Sequence, residues 1–592
     1  SSIWIGSDPS GTTDTAQYNT ALGVNALDAI TTADRVTAIG YNALSALTTG
    51  SSNTAVGDEA LLANTSGNSN VAVGGRALTT NTVGDKNTAV GYQSLYTMNP
   101  ASNADMYNTA VGYNAGYDLT VGTQNTLIGG FAGEEISDGV GNTAVGYLAG
   151  GGSSGSAATG DNNTSVGADA LGVVTTGHSN TAIGKNAMLN STEATYATAL
   201  GFAALQNTTA GSGNVAVGGF SMQSNTTGDR NVAVGYLTLD ANQQGDRNTA
   251  VGYEALTTMN PSGNADTYNS AFGYRALASL TTGTANTAVG FGTLENTTTG
   301  ANNTAVGGAA LQVNDGDRNT AVGYNGLQAN STGDYNTAVG YNSLVSNTSG
   351  SYNVGIGYEA LDATDDGESN VAVGYGALGA NCGDTNTAVG SSAGMVITGS
   401  NNSCLGNAAG GDTTSGGNNS FLGKDSGRTG SPGGSITTGS NEIVLGDENI
   451  SEAHIQVDWT VASDARDKTD FTALDLGLDF VKALKPVTYK WDKRSKYGDK
   501  YADGYDLNAQ TPDGTHKEDW LDIGFKAQEV EALEIAAGYN KDNKTNLVSS
   551  HSDDGKQMGL QYTKFVPILV KAIQEQQALI ESLTARIAAL ES

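Results

Sequence analysis

The first three quarters of the chain repeat one short pattern of small, apolar and polar residues. A β-favouring run such as Thr54–Val56 is followed by Gly57, by the apolar pair Ala60 and Leu61, and by a turn rich in Asn, Ser and Gly. The glycine equivalent to Gly57 returns mostly every 17 residues. Apolar positions do not recur at i, i+3, i+4 and i+7, so an amphipathic helix fits poorly. A fixed period of this length indicates stacked units that cannot bury their apolar faces alone.

Each repeat is therefore predicted to form one coil of a parallel β-solenoid, in which equivalent residues stack into ladders. Stacked Asn53 and Asn87 are expected to exchange side-chain amide bonds between coils. Val56, Val73 and Val90 are expected to form the dry core. A coil this short encloses little apolar volume, so association of several chains is expected.

A change in charge divides the chain. Of the 592 residues, 1–462 contain 10 Lys and Arg against 37 Asp and Glu, whereas 463–592 contain 17 against 22. The predicted organisation is an N-terminal lead-in or attachment stub (1–18), a solenoid array (19–446), a connector (447–462), and an α+β region (463–592).

Composition excludes several classes of function. A pI near 4.2 argues against nucleic-acid binding, because phosphate contacts need clustered Lys and Arg. No run of about 18 apolar residues is present, so no membrane insertion is expected. Two cysteines cannot form a disulfide framework; Cys382 and Cys404 are expected to be small buried residues, with a disulfide between them as the alternative. We expect no cofactor and no metal site.

Two repeated features leave alternatives open. Steps of 21 residues contain extra segments that are expected to bulge as loops, either as a binding face or as tolerated duplications. Acidic turns such as Gly84–Asn87 favour Asx-type turns over calcium sites, since each offers one carboxylate and calcium wants six or more oxygens. Tyrosines after the glycine (Tyr41, Tyr92, Tyr113) are expected to form a ladder that packs between chains or stacks on sugars.

The Asn-Thr-Ala-Val-Gly phrase resembles the head repeats of trimeric autotransporter adhesins and similar arrays in phage fibres. That resemblance covers about 19–446 and implies a three-chain β-roll.

Four ordered motifs follow, within 463–468, 483–491, 523–530 and 560–562. Together they closely resemble the C-terminal intramolecular chaperone of endosialidase-type phage tail spikes and fibres. The resemblance implies that 463–592 trimerises the fibre, assists its folding and then cuts itself off.

The serine–lysine dyad of that family falls on Ser463 and Lys468, and the expected scissile bond is Ala462–Ser463, with Asp464 and Arg466 in support. A serine hydroxyl is a weak nucleophile until a base takes its proton. A lysine can serve where burial and a neighbouring cation, here Arg466, disfavour its charged form. The alternative is structural: Ser463 and Asp464 as a helix N-cap and Lys468 as a solvated charge.

A helix is predicted over 564–592, with a heptad seam typical of a coiled coil. Its alternating Ile and Leu lean towards dimers, whereas the resemblance implies trimers. An amphipathic helix packed on its own domain is the alternative. The seam residues are Leu569, Ile573, Gln576, Ile580, Leu583, Ile587 and Leu590.

The predicted function is a homotrimeric fibre of a virion tail, matured by single-turnover self-cleavage. It would bind a host-surface glycan or protein receptor and join other tail or appendage proteins through its N-terminus. The alternatives are an extracellular bacterial adhesin or appendage with the same chaperone, and a glycan-degrading tail spike. A glycan-degrading tail spike needs paired carboxylates in a cleft. No repeat departs from the common pattern enough to form such a cleft.

Overall fold

A computed structural model describes residues 2–6, 15–151, 155, 157–456, 461–500, 502, 504–542, 545–552 and 554–591. Parts of the predicted lead-in and connector, and the last residue of the predicted helix, lie outside these residues. The chain forms two compact units, 1–335 and 336–592. The fold is mainly β, a parallel β-solenoid of about 24 coils followed by an α+β region, as predicted.

The first unit consists of solenoid coils. Each coil contributes one short strand, and successive strands pair in parallel with equivalent residues in register, as in Thr54 with Val71. The pairing begins within the predicted lead-in, because Ile3–Gly6 pairs with Thr20–Gly23. The strands are Ile3–Gly6, Thr20–Gly23, Thr37–Ile39, Thr54–Val56, Val71–Val73, Thr88–Val90, Thr109–Val111, Thr126–Ile128, Thr143–Val145, Thr164–Val166, Thr181–Ile183, Thr198–Leu200, Val215–Val217, Val232–Val234, Thr249–Val251, Ser270–Phe272, Thr287–Val289, Thr304–Val306 and Thr320–Val322.

The second unit begins with coils of the same kind and ends with the α+β region. Its solenoid strands are Thr337–Val339, Val354–Ile356, Val371–Val373, Thr387–Val389, Ser403–Leu405, Ser420–Leu422 and Ile443–Leu445.

The interior of the coils differs from the prediction. Ala55 and Ala72, at the middle of their strands, are fully buried, whereas Val73 is 36% exposed and Val56 and Val90 are only half-buried. The predicted valine core is therefore wrong. Alternate residues of a strand point to opposite faces, and Leu61 from the following corner is fully buried. Most coils place alanine at this inward position beside that leucine, whereas Leu127 and Phe421 occupy it in two other coils.

The asparagine ladder is confirmed. The side-chain oxygen of Asn70 accepts hydrogen bonds from both the backbone N–H and the side-chain amide of Asn87, at 3.0 and 3.1 Å. The amide of Asn70 in turn donates to the carbonyl of Gly84 at 2.8 Å. Each buried asparagine thus satisfies backbone groups that the short strands leave unpaired.

Gly57 shows why the repeat requires glycine after its strand. Its φ is +141°, and an added Cβ would lie 2.4 Å from the carbonyl oxygen of Gly74 in the next coil. No side chain fits there, so the close approach of the two backbones requires glycine at this position.

Two loop predictions have different outcomes. The inserted residues 101–103 and 262–264 are exposed, as expected, and a short parallel pair joins Gly245–Asp246 to Ala265–Asp266. The aspartate of an acidic turn bonds across coils: Asp85 Oδ1 accepts from the backbone N–H of Asn68, in the preceding coil, at 2.6 Å. Within the turn, the side-chain amide of Asn87 donates to the carbonyl of Asp85 at 3.2 Å. Cys382 and Cys404 are buried free thiols.

The described residues of the α+β region form three helices, α1 (Leu478–Ala483), α2 (Ala527–Ala536) and α3 (Phe565–Glu591). It also contains two antiparallel strand pairs, Val487–Tyr489 with Asp522–Gly524 and Ser549–His551 with Met558–Leu560. Short 3-10 turns lie at Ala465–Asp467, Arg494–Lys496, Leu507–Ala509 and Tyr562–Lys564. Its core consists of Leu476, Phe480, Val530, Val548, Phe565 and Ile568.

Candidate functional site

A single 3-10 turn brings the predicted dyad together. Asp464 caps the turn Ala465–Asp467 by accepting the backbone N–H of Arg466 at 2.9 Å, and the N–H of Lys468 closes it on the carbonyl of Ala465. This folds the chain back so that Lys468 Nζ donates to Ser463 Oγ at 2.5 Å. A serine and a lysine five residues apart are thus in direct contact.

Arg466 occupies a different place from the one expected. Its guanidinium binds the Asp464 carboxylate, with Nη2 at 2.6 Å and Nε at 3.1 Å from Oδ2. This pair holds the pKa of Asp464 below its usual range and raises that of Arg466. Arg466 is therefore paired with Asp464, and its supporting role towards Lys468 stays a prediction. The capping role considered for this segment belongs to Asp464.

All residues from 461 to 470 are exposed in the single chain, including Ala462 and both members of the dyad. The burial that would favour a neutral lysine is absent from this form of the site. With its ammonium protonated, Lys468 donates to the serine oxygen. Once neutral, the same nitrogen at the same distance would accept the serine proton.

Glu534 is a feature that sequence reasoning missed. It is 1% exposed in α2, and its carboxylate accepts the backbone N–H groups of Leu547 at 2.9 Å, Val548 at 2.6 Å and Ser549 at 2.9 Å, and also the Ser549 hydroxyl. It fixes the loop that leads to the second strand pair. The only signal in the sequence is a glutamate on the apolar face of a helix.

The heptad seam of α3 is mostly uncovered. Phe565, Ile568 and Ala572 are buried against the domain, which confirms own-domain packing for the start of the helix only. Beyond it the seam faces solvent. Its exposed apolar members are Leu569, Ile573, Ile580, Leu583, Ile587 and Leu590.

Among the described residues, no helix combines the length and apolarity needed to cross a membrane. Within the same part of the chain, no three His, Cys, Asp or Glu side chains cluster closely enough to hold a metal ion.

Residues 463–539 match the family model described as chaperone of endosialidase. The match begins at Ser463 and includes the dyad, α1, the first strand pair and α2. Comparison with curated proteins and with solved structures gives no significant match. A solenoid shaft followed by this domain fits a tail fibre with a C-terminal chaperone domain.

Proposed function

We propose that the chain is a trimeric tail fibre used for host attachment, whose residues 463–592 drive trimerisation and folding and then cut the Ala462–Ser463 bond. The observation that carries the proposal is the 2.5 Å contact between Lys468 Nζ and Ser463 Oγ, at the first residue of the chaperone match. Both phage and extracellular fibres suit such a shaft. The retained shaft would carry receptor binding.

In the proposed reaction, neutral Lys468 accepts the Ser463 hydroxyl proton while Oγ attacks the carbonyl carbon of Ala462. The Ala462–Ser463 peptide bond breaks, and the lysine proton passes to the departing nitrogen, leaving the acyl group of Ala462 on Oγ as an ester. Water then hydrolyses this ester to a carboxylate on Ala462 and a free hydroxyl on Ser463.

Exposure of the dyad supports a link between cutting and assembly. An ammonium in water keeps its proton, and removal of water favours the neutral amine. Neighbouring chains packed around residues 461–470 would supply that desolvation. Cutting would then follow association of the chains rather than precede it.

Two exposed apolar surfaces support association. One is the uncovered α3 seam, which suits a coiled coil. The other runs along the coils, where tyrosines after the glycine stack on each other, as in Tyr92 with Tyr113 at 5.6 Å and Tyr341 with Tyr358 at 5.2 Å. Where the rings stack, they cover each other's faces and leave their edges outside; at Phe131 and Phe220 the neighbouring rings meet edge to face. Sugars stack on ring faces, so packing against another chain is favoured over sugar binding.

Replacement of the nucleophile tests the proposal. Ser463→Ala is expected to leave the full-length chain of 59.9 kDa uncut, whereas the wild-type chain separates into two fragments on a denaturing gel. Ser550→Ala, a half-exposed serine of the same domain, is the matched control and should be cut normally. Normal cutting of Ser463→Ala would refute the assignment.

A further inference from the structure

The last coil of the second unit departs from the repeat and packs directly on the α+β region. Strands Ser420–Leu422 and Ile443–Leu445 are separated by an enlarged loop. A Cβ on Gly430 in this loop would lie 2.7 Å from the Cβ of Ser495, and one on Gly434 would lie 2.5 Å from the Cβ of Ser552. Two glycines thus permit close approach of the α+β region, residues 463–592 (the chaperone domain), to the last coil of the solenoid (the shaft).

Charged groups meet inside this contact. Lys500 Nζ of the chaperone domain lies 2.8 Å from Glu448 Oε1 and 3.6 Å from Asp425 Oδ2. The three side chains are 14%, 5% and 2% exposed, respectively. Lys493 also donates to the backbone carbonyl of Glu448. These contacts join segments that are 45 to 75 residues apart in the chain.

The carboxylate of Glu448, at the end of the shaft, depends on Lys500 for its counter-charge. Arg428 binds Asp412 at 2.9 Å and lies 3.4 Å from Asp425. Lys500 is the cation bound to Glu448, whose second oxygen is buried with no hydrogen-bond partner. Removal of Lys500 would leave the buried Glu448 carboxylate without its counter-charge, which is strongly unfavourable, whereas Asp425 would keep Arg428 and Lys424 nearby.

We propose that Lys500, Glu448 and Asp425 form a docking latch that holds the chaperone domain on the end of the shaft independently of the peptide link. The consequence for release rests on the proposed self-cleavage. Once Ala462–Ser463 is cut, the latch would still hold the domain, so cutting alone would not release it. Departure would be a second step, which requires the ion pairs of the latch to open.

The first test follows the cut protein under native conditions. After cutting, the two fragments of the wild-type chain are expected to elute together in size-exclusion chromatography at physiological salt. Lys500→Met should elute as separated fragments, whereas Lys490→Met, an exposed lysine of the same domain, should behave as wild type. Immediate separation of the wild-type fragments, or retention in Lys500→Met, would overturn the latch.

The second test does not require cutting. In the uncut Ser463→Ala chain, hydrogen exchange of backbone amides 494–500 and 504–507 is expected to accelerate on the order of a hundredfold when Lys500→Met is added. An unchanged rate would overturn the latch whether or not the wild-type chain cuts itself. Failure of the wild-type chain to cut would count against the proposed function alone.

Reversal of the pair guards against misfolding of the single variant. In an Asp425→Asn background, which removes the carboxylate that would repel the new glutamate, Glu448→Lys combined with Lys500→Glu should restore slow exchange and joint elution, while either change alone should lose both. If the double variant behaves no better than the single variants, the pairing is not what holds the domain.

Discussion

The shaft and the chaperone domain are stabilised in opposite ways. In the shaft, one small set of contacts recurs in coil after coil: the Asn70-to-Asn87 bonds, the buried alanine and the glycine that admits the next backbone. In the chaperone domain each contact occurs once, as with Glu534 and its four donors. A repeated fold spreads stability over nearest neighbours, whereas a unique core concentrates it in few residues.

The shaft and the chaperone domain also differ in net charge. The shaft is acidic along most of its length, while the chaperone domain is nearly balanced and places Lys493 and Lys500 against the shaft's last coil. A domain with cations at one surface is suited to hold an acidic fibre end. The charges of the two regions are therefore complementary where Lys493 and Lys500 contact the last coil.

The largest expected effect comes from breaking one repeat contact. Gly57→Ala places a Cβ 2.4 Å from the Gly74 carbonyl oxygen at a φ of +141°, so the backbone of two coils must shift. We expect a loss of about 3 kcal/mol or more in the stability of neighbouring coils, seen as local loss of hydrogen-exchange protection. Gly75→Ala is the control, because its Cβ would be 3.4 Å from the Tyr92 ring, an ordinary contact. Equal protection in both variants would contradict this account of the repeat.

A change at Glu534 should affect only the chaperone domain. Glu534→Gln removes the charge that four donors share, and we expect a loss of about 2–3 kcal/mol, measured by denaturant unfolding of that domain. Glu581→Gln on the exposed part of α3 should cost nothing measurable. Lower hydrogen-exchange protection of the first unit's coils in Glu534→Gln would contradict the expectation that the effect is confined to the α+β region.

The smallest effect concerns alkaline pH and the shaft alone, since both cysteines lie in its coils. Burial raises the pKa of the Cys404 thiol to about 12, against about 8.5 for a free thiol. The folded state therefore favours the protonated thiol, and its stabilising contribution is full below about pH 8.5 and falls as pH rises from there to about 12. At pH 9, alkylation by iodoacetamide should be slow in the native shaft and fast in urea. Rapid native alkylation would mean that the coil opens.

How far the sequence predicts the structure also differs between the regions. The period alone predicts the parallel coils and the asparagine ladder, because a residue repeated at one position must stack on its copies. It does not tell which face of a three-residue strand points inward. Ala55 and Val56 are both apolar, so either could face the interior. Leu61, at a corner with a φ of +53°, fills the interior so that the small Ala55 side chain points inward.

In the chaperone domain, the motifs identify Ser463 and Lys468, and the structure places their side chains in contact. The motifs do not reveal that Arg466 pairs with Asp464, because Asp464 and Lys468 are both only two residues away from it in the chain. The contact of Lys500 with Glu448 links residues 52 positions apart in an irregular last coil, where no repeat exists to signal it. Single, long-range contacts leave no pattern in one sequence.

Mass spectrometry of the expressed wild-type protein, under native and then denaturing conditions, reports both the number of chains and the site of the cut. We expect native particles with three copies of the shaft and, after denaturation, two fragments whose junction is Ala462–Ser463. A single uncut chain that remains monomeric, with Ser463 and Lys468 intact, would contradict this expectation.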